Sequence, residues 1–169
     1  MKKILLLFLI VASIFSCKKD DPAPAPAASA NTLTFDSTFH NVVMTGAVNG
    51  GKWQLNAVID LPSVGGFARK LAFNIKFLQR PTADASYTIV NTEADVTATS
   101  AMLYINHVDY NPSPTDNISN SYFLSAGGTG AITVSIVSGK VSVQFSGLTL
   151  SGNRGGADKT NVSANLTEN

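Results

Sequence analysis

The sequence predicts an all-β fold for residues 31–169, an antiparallel β-sandwich of about nine strands. Three observations carry this. Apolar residues recur with period two, turn-forming residues recur every 8 to 12 positions, and no stretch after residue 30 repeats its apolar residues at helical spacing. The same strand count also fits an up-and-down barrel of lipocalin type, which stands as the alternative.

The first strands flank Asn49-Gly50-Gly51. With Gly50-Gly51 as the turn, Val48 meets Trp53, Gly46 meets Leu55 and Val42 meets Ile59. Beyond the turn, Trp53, Leu55, Ala57 and Ile59 alternate with Lys52, Gln54, Asn56 and Val58, which puts Trp53 on the core face. Leu71, Phe73, Ile75 and Phe77 alternate in the same way with Lys70, Ala72, Asn74 and Lys76. Short strands follow at Tyr87–Val90, Met102–Val108 and Ser121–Ala126.

The hairpin AITVSIVSGKVSVQF has the best-specified register. A turn at Ser138-Gly139 opposes Ile136 to Val141, Val134 to Val143 and Ile132 to Phe145, all on one face. A slip of one residue would scatter that face, so the register is fixed by burial. After Phe145 the alternation changes phase across Gly147, as a β-bulge would require, before Leu148 and Leu150 resume it. Val162, Ala164 and Leu166 make the last strand. Between these strands, NPSPTDN and SGNRGGADKT are the longest irregular segments, and ligand contacts are expected at such edges.

The first 30 residues are of another kind. Met1-Lys2-Lys3 is a positive start, and Ile4 to Phe15 is an apolar run. A membrane-spanning helix needs about 20 apolar residues, so this run fits a cleaved export signal, residues 1–16. It ends at Ile14-Phe15-Ser16-Cys17, a small residue directly before the single cysteine of the chain. That junction resembles the lipobox of bacterial lipoproteins, departing from it at Phe15, where smaller residues are commoner. The resemblance implies a diacylglycerol on the Cys17 thiol, cleavage before it, and usually acylation of the new amino group. One acyl chain holds a protein only marginally, whereas two or three would anchor it firmly. The plainer alternative is a secreted protein whose Cys17 adjoins the cut by chance.

Lys18-Lys19-Asp20-Asp21 follows at once. It resembles the lysine-plus-acidic export tag of Bacteroidota lipoproteins, which implies the outer face of the outer membrane. A solvated spacer on an inward-facing lipoprotein is the other reading. Pro22 to Pro26 alternate with alanine, and Ala27 to Ala30 continue a semi-rigid stalk of about 3.1 Å per residue. Residues 17–30 are thus anchor, tag and tether, and 31–169 a single domain.

Charge excludes some partners. The chain carries +1, and setting aside the four lysines and two aspartates of the leader leaves −1, with charges scattered singly. Such a surface has no footprint for nucleic acid, and its expected contact with a membrane is the lipid anchor alone. One cysteine also precludes an internal disulfide.

Catalytic and cofactor motifs do not appear. There is no Gly-x-Ser-x-Gly elbow, and Cys17 is assigned to lipid. The two histidines are His40 and His107. His107 and Asp109 lie two apart, on one face of a strand, where an imidazole–carboxylate contact reads first as a surface polar pair. Asp60, Asp84, Asp95 and Asp109 are candidates for a paired-carboxylate site by residue type only. Asp109 to Asn117 is rich in oxygen donors but lacks EF-hand spacing, so it reads as a turn. Among Trp53, Tyr87, Tyr104, Tyr110 and Tyr122, Tyr110 is the ring best placed for stacking on a sugar. Tyr110, Asp109 and Asp116 are therefore the binding candidates. Asp36-Ser37-Thr38 resembles the short sites that Bacteroidota use for O-glycans on exported proteins.

The expected role is a lipid-anchored surface β domain that binds a glycan or an outer-membrane protein, without metal or cofactor. It resembles the many all-β lipoproteins of Bacteroidota. A carrier of a small apolar ligand and a surface hydrolase are the alternatives.

Overall fold

The structure, a computed structural model, describes residues 31–110, 118–154 and 157–169. Eleven strands and one short 3-10 helix make up the described chain. In order they are β1 (Thr32–Phe35), β2 (Thr38–Asn41), β3 (Thr45–Asn49), β4 (Lys52–Val64), β5 (Phe67–Phe77), β6 (Ala85–Val90), the helix Glu93–Asp95, β7 (Ser100–Tyr110), β8 (Ile118–Leu124), β9 (Ala131–Val137), β10 (Lys140–Gly152) and β11 (Lys159–Thr167). The all-β class holds, with β1 and β2 added to the nine expected strands, and one pairing, β6–β7, is parallel where an antiparallel arrangement is expected.

Hydrogen bonding runs through one mixed sheet in the order β2-β1-β11-β10-β9-β6-β7-β5-β4-β3, with β8 pairing both β7 and β10. Two walls face each other. β3, β4, β5 and β7 form one, and β2, β1, β11 and β10 the other. Across the core Phe73 of β5 stacks on Phe145 of β10, ring centroids 6.1 Å apart. Along one side the walls are joined by β6–β9 near the start of β7 and by β8 near its end. Along the other side the sheet's two ends, β2 and β3, are consecutive in the chain, and Met44 bridges to Glu168. The result is a two-layered sheet folded around a single core. Its β6–β7 pairing is parallel, so the order is not the simple meander of an up-and-down barrel.

Local chemistry explains the hairpins. Both central residues of Gly50-Gly51 and of Ser138-Gly139 have positive φ, the left-handed geometry whose twist matches that of the flanking strands. The registers that follow are Val48↔Trp53 and Gly46↔Leu55 on one hairpin, and Ile136↔Val141 and Val134↔Val143 on the other. Gly147, at φ 66, sits in a register shift between Phe145 and Leu148, where the phase change predicts a bulge. The Val42–Ile59 pair does not form: the β3–β4 ladder ends at Thr45↔Asn56, and the Val42 amide donates to the Asn31 carbonyl, crossing to the other wall.

The core is filled. Phe73, Phe77, Leu55, Leu71, Ile75, Leu103, Ile105, Ile132, Leu150 and Leu166 are almost wholly shielded, and each contributes about 1.5–3 kcal/mol on burial. Trp53 is buried beside Phe77, as its strand phase predicts.

Candidate functional site

At one end of the fold the inward-facing residues change character while keeping their alternation. Along β5 the inward series Phe77, Ile75, Phe73, Leu71 continues to Arg69. Along β7, Leu103 and Ile105 lead to His107 and Asp109. On β2, His40 pairs with Leu33 and so shares its face. The β5–β7 ladder opposes Leu71 to His107 and Arg69 to Asp109. The sheet therefore closes its core with a polar layer.

These residues border a cavity of about 230 Å³ lined by Phe35, Asp36, Thr38, His40, Leu61, Pro62, Arg69, Leu71 and His107. Pro62 helps to open it. Without an N–H it cannot donate to the ladder, and the β4–β5 register breaks between Leu61 and Val64. The opposite rim is the β1–β2 turn. Asp36 and Ser37 are its two central residues, at φ 54 and 58, a left-handed turn built without glycine. The Asp36-Ser37-Thr38 triplet is thus an exposed hairpin tip.

Arg69 organises the polar layer. Its Nε donates to Asp109 Oδ1 at 3.0 Å, and its Nη2 lies 3.1 Å from His107 Nε2. A guanidinium has no lone pair, so His107 Nε2 must be the acceptor and the imidazole carries its proton on Nδ1. His107 Nε2 is also 3.3 Å from Asp109 Oδ1. Asp109 stands behind this pair and is absent from the cavity lining. Lys159 holds Asp36 at 3.1 Å, and its Nζ lies 5.8 Å from the ring centres of both Phe35 and Tyr122.

Both histidines are held below their ordinary range. Burial is the main cause for each. For His107, Asp109 pulls the other way and Arg69 and Lys159 add to the lowering; for His40 a backbone hydrogen bond at Phe35 opposes it. Two neutral imidazoles and a charged guanidinium therefore face the cavity near neutral pH.

The expected site residues fall out as follows. His107 and Asp109 do meet, but as part of a cluster with Arg69 and not as an isolated surface pair. Tyr110 ends β7 next to this cluster, with its side chain outside the described part. Asp116, Cys17, Lys18, Lys19, Asp20 and Asp21 lie outside the described residues. The four carboxylates meet different partners: Asp60 pairs with Lys70, Asp84 accepts from the Ile136 amide, Asp95 accepts from Thr92, and Asp109 from Arg69. Among the described residues no three His, Cys, Asp or Glu side chains cluster to hold a metal, and no helix is long and apolar enough to cross a membrane.

A second cavity of about 240 Å³ is lined by Leu78 to Ala83, Ala85, Tyr87, Thr97 and Ala98, with Arg80 and Tyr87 its ionisable groups among the described residues. Comparison with protein-family models, curated proteins and solved structures gives no match to this chain.

Proposed function

We propose that the protein is a lipid-anchored binding module of the outer-membrane surface, whose cavity takes one residue of a glycan. Cys17 carries the lipid, Lys18-Lys19-Asp20-Asp21 is the export tag, and residues 22–30 are the spacer. The observation that supports this most is the placing of the cavity. Asn31, where the spacer joins, exchanges hydrogen bonds with Thr167, and β1 runs from there to Phe35 on the cavity wall. A tether at one end leaves the cavity facing away from the membrane.

The lining suits a sugar. Phe35, Leu61 and Leu71 offer apolar surface to a ring's C–H face, and Arg69, His40, His107 and Thr38 offer fixed polar groups to its hydroxyls. At about 230 Å³ the cavity is below the roughly 300–1,000 Å³ of sites for drug-sized ligands, so it fits a single residue at a chain end or branch. Arg69→Ala removes the group that positions the others.

The full chain, purified in detergent, is to be applied to a glycan array beside its Arg69→Ala variant. Binding that the variant loses supports the reading; equal signals from both would refute it. Mass spectrometry of the mature chain tests the anchor, with a diacylglyceryl Cys17 as its new N-terminus as the expected result. Asp20→Ala/Asp21→Ala together should reduce cleavage of the domain by protease added to intact cells.

A further inference from the structure

We infer that the cavity selects a sugar bearing a carboxylate, and that His107 acts as the proton-operated element that releases Arg69 to bind it. This rests on the glycan-binding reading and specifies its ligand. Among the described residues, four ionisable groups border the cavity: Arg69, His40, His107 and Asp36. Asp36 is already neutralised by Lys159 at 3.1 Å, and Asp109, which compensates Arg69, lies behind it and away from the lining. The groups that face a ligand are therefore a guanidinium and two imidazoles. Among the described residues, the carboxylates near that wall are Asp36, held on the exposed rim by Lys159, and Asp109, engaged by Arg69.

The release follows from the geometry of one nitrogen. In the neutral imidazole, His107 Nε2 accepts from Arg69 Nη2, which commits one of that nitrogen's two N–H groups. A proton on Nε2 ends this, because two donors cannot share the bond. The new N–H instead has Asp109 Oδ1 as acceptor, 3.3 Å away. Arg69 keeps its Nε bond to Asp109, its Nη2 regains the N–H given to His107, and the outer fork of Nη1 and Nη2 faces a carboxylate beside a second positive charge. No covalent bond changes; one proton is taken from solvent and held on His107. The charged groups that act on His107 are Arg69 from β5, Asp109 from β7, Lys159 from β11 and Asp36 from the β1–β2 turn, and His40 from β2 lines the same cavity. Burial and Arg69 keep the free site neutral, and the bound carboxylate supplies the charge that holds the proton.

Calorimetry of the full chain with methyl galacturonoside and methyl galactoside, which differ only at the carboxylate, is the test. Binding coupled to one proton strengthens by up to about tenfold for each pH unit lost. The expected result is galacturonoside binding that tightens several-fold from pH 7.5 to 5.5, with galactoside weaker at both. His40→Gln should keep the pH response, and adding His107→Gln, which leaves Arg69 an acceptor that cannot be protonated, should weaken binding and flatten the profile. Equal binding of both sugars, independent of pH, overturns the inference while leaving the glycan-binding reading intact; failure of the galacturonoside to bind at pH 5.5 also overturns it. Nitrogen NMR of the free protein gives an answer independent of any sugar. A neutral His107 protonated on Nδ1 is required, and protonation on Nε2 would exclude the mechanism.

Discussion

The two ends of the sheet use similar side chains for opposite purposes. At the end near Asn31, Arg80 Nη2 bonds Glu168 at 2.7 Å and the Gly139 carbonyl at 2.9 Å, and its guanidinium lies 5.7 Å from the Trp53 ring. Glu168 Oε2 also accepts from the Val141 amide. Lys76 and Lys52 share Glu93. These charges stitch strand ends and the chain terminus onto the core. At the other end Arg69 is held equally firmly, but beside open space and next to both histidines. An ion pair that ties backbone ends together closes a fold; one that fixes a cation at the rim of a cavity prepares it for a ligand.

Substitutions should separate these roles, starting with the closed end. Trp53→Ala removes the largest side chain there and is expected to cost about 3–5 kcal/mol, read from the midpoint of urea unfolding. Gly46→Val comes next. A Cβ at Gly46 would run into Glu168 Oε1 and lie 2.6 Å from Trp53 Cζ2, so overpacking of about 1–3 kcal/mol should appear in the same measurement. Arg80→Met and Arg69→Met form a matched pair. Both groups are partly solvated, so each should cost about 1 kcal/mol or less. Only Arg69→Met should abolish sugar binding. If Arg80→Met abolished it as fully, with stability unchanged, the division between the ends would fail.

Much of this fold was readable from period and turn chemistry. Ser138-Gly139 and Gly50-Gly51 declare their hairpins because glycine relieves the positive φ, and Gly147 marks its bulge for the same reason. The β1–β2 hairpin lacked that signal. Asp36 and Ser37 adopt the left-handed turn without glycine, and β2 is exposed along its length apart from half-buried His40. A strand with no apolar face has no period to read. The cavity was half legible. His107 and Asp109 share a face by spacing alone, but Arg69 joins them only through the β5–β7 ladder, and His40 through β1–β2. One clue did lie in the sequence: Arg69 falls on the apolar phase of Leu71 and Phe73, where a cation must either be paired or serve a site.

The weakest expected effect is also the most selective, because the two ends titrate in different ranges. His40 and His107 are lowered from the usual 6.5 by burial, so the unfolded chain takes up protons first as the pH drops below that value. Stability should therefore decline modestly from pH 7 into the range below 6.5, and level off once the folded histidines are protonated too. At the closed end Glu93 is lowered, chiefly by its hydrogen bond to Lys76. Its contribution persists above the usual 4.5 and is lost only as the pH falls further and the folded carboxylate protonates. Urea midpoints measured from pH 7.5 to 3.5 should show two separate declines. His40→Gln with His107→Gln should erase the upper one and leave the lower, and Glu93→Gln should do the reverse. A double histidine variant that still lost stability between pH 7 and 5.5 would mean that the upper decline does not come from these two imidazoles. A saturating galacturonoside should oppose the upper decline without touching the lower, since it favours the protonated folded state at the cavity end alone.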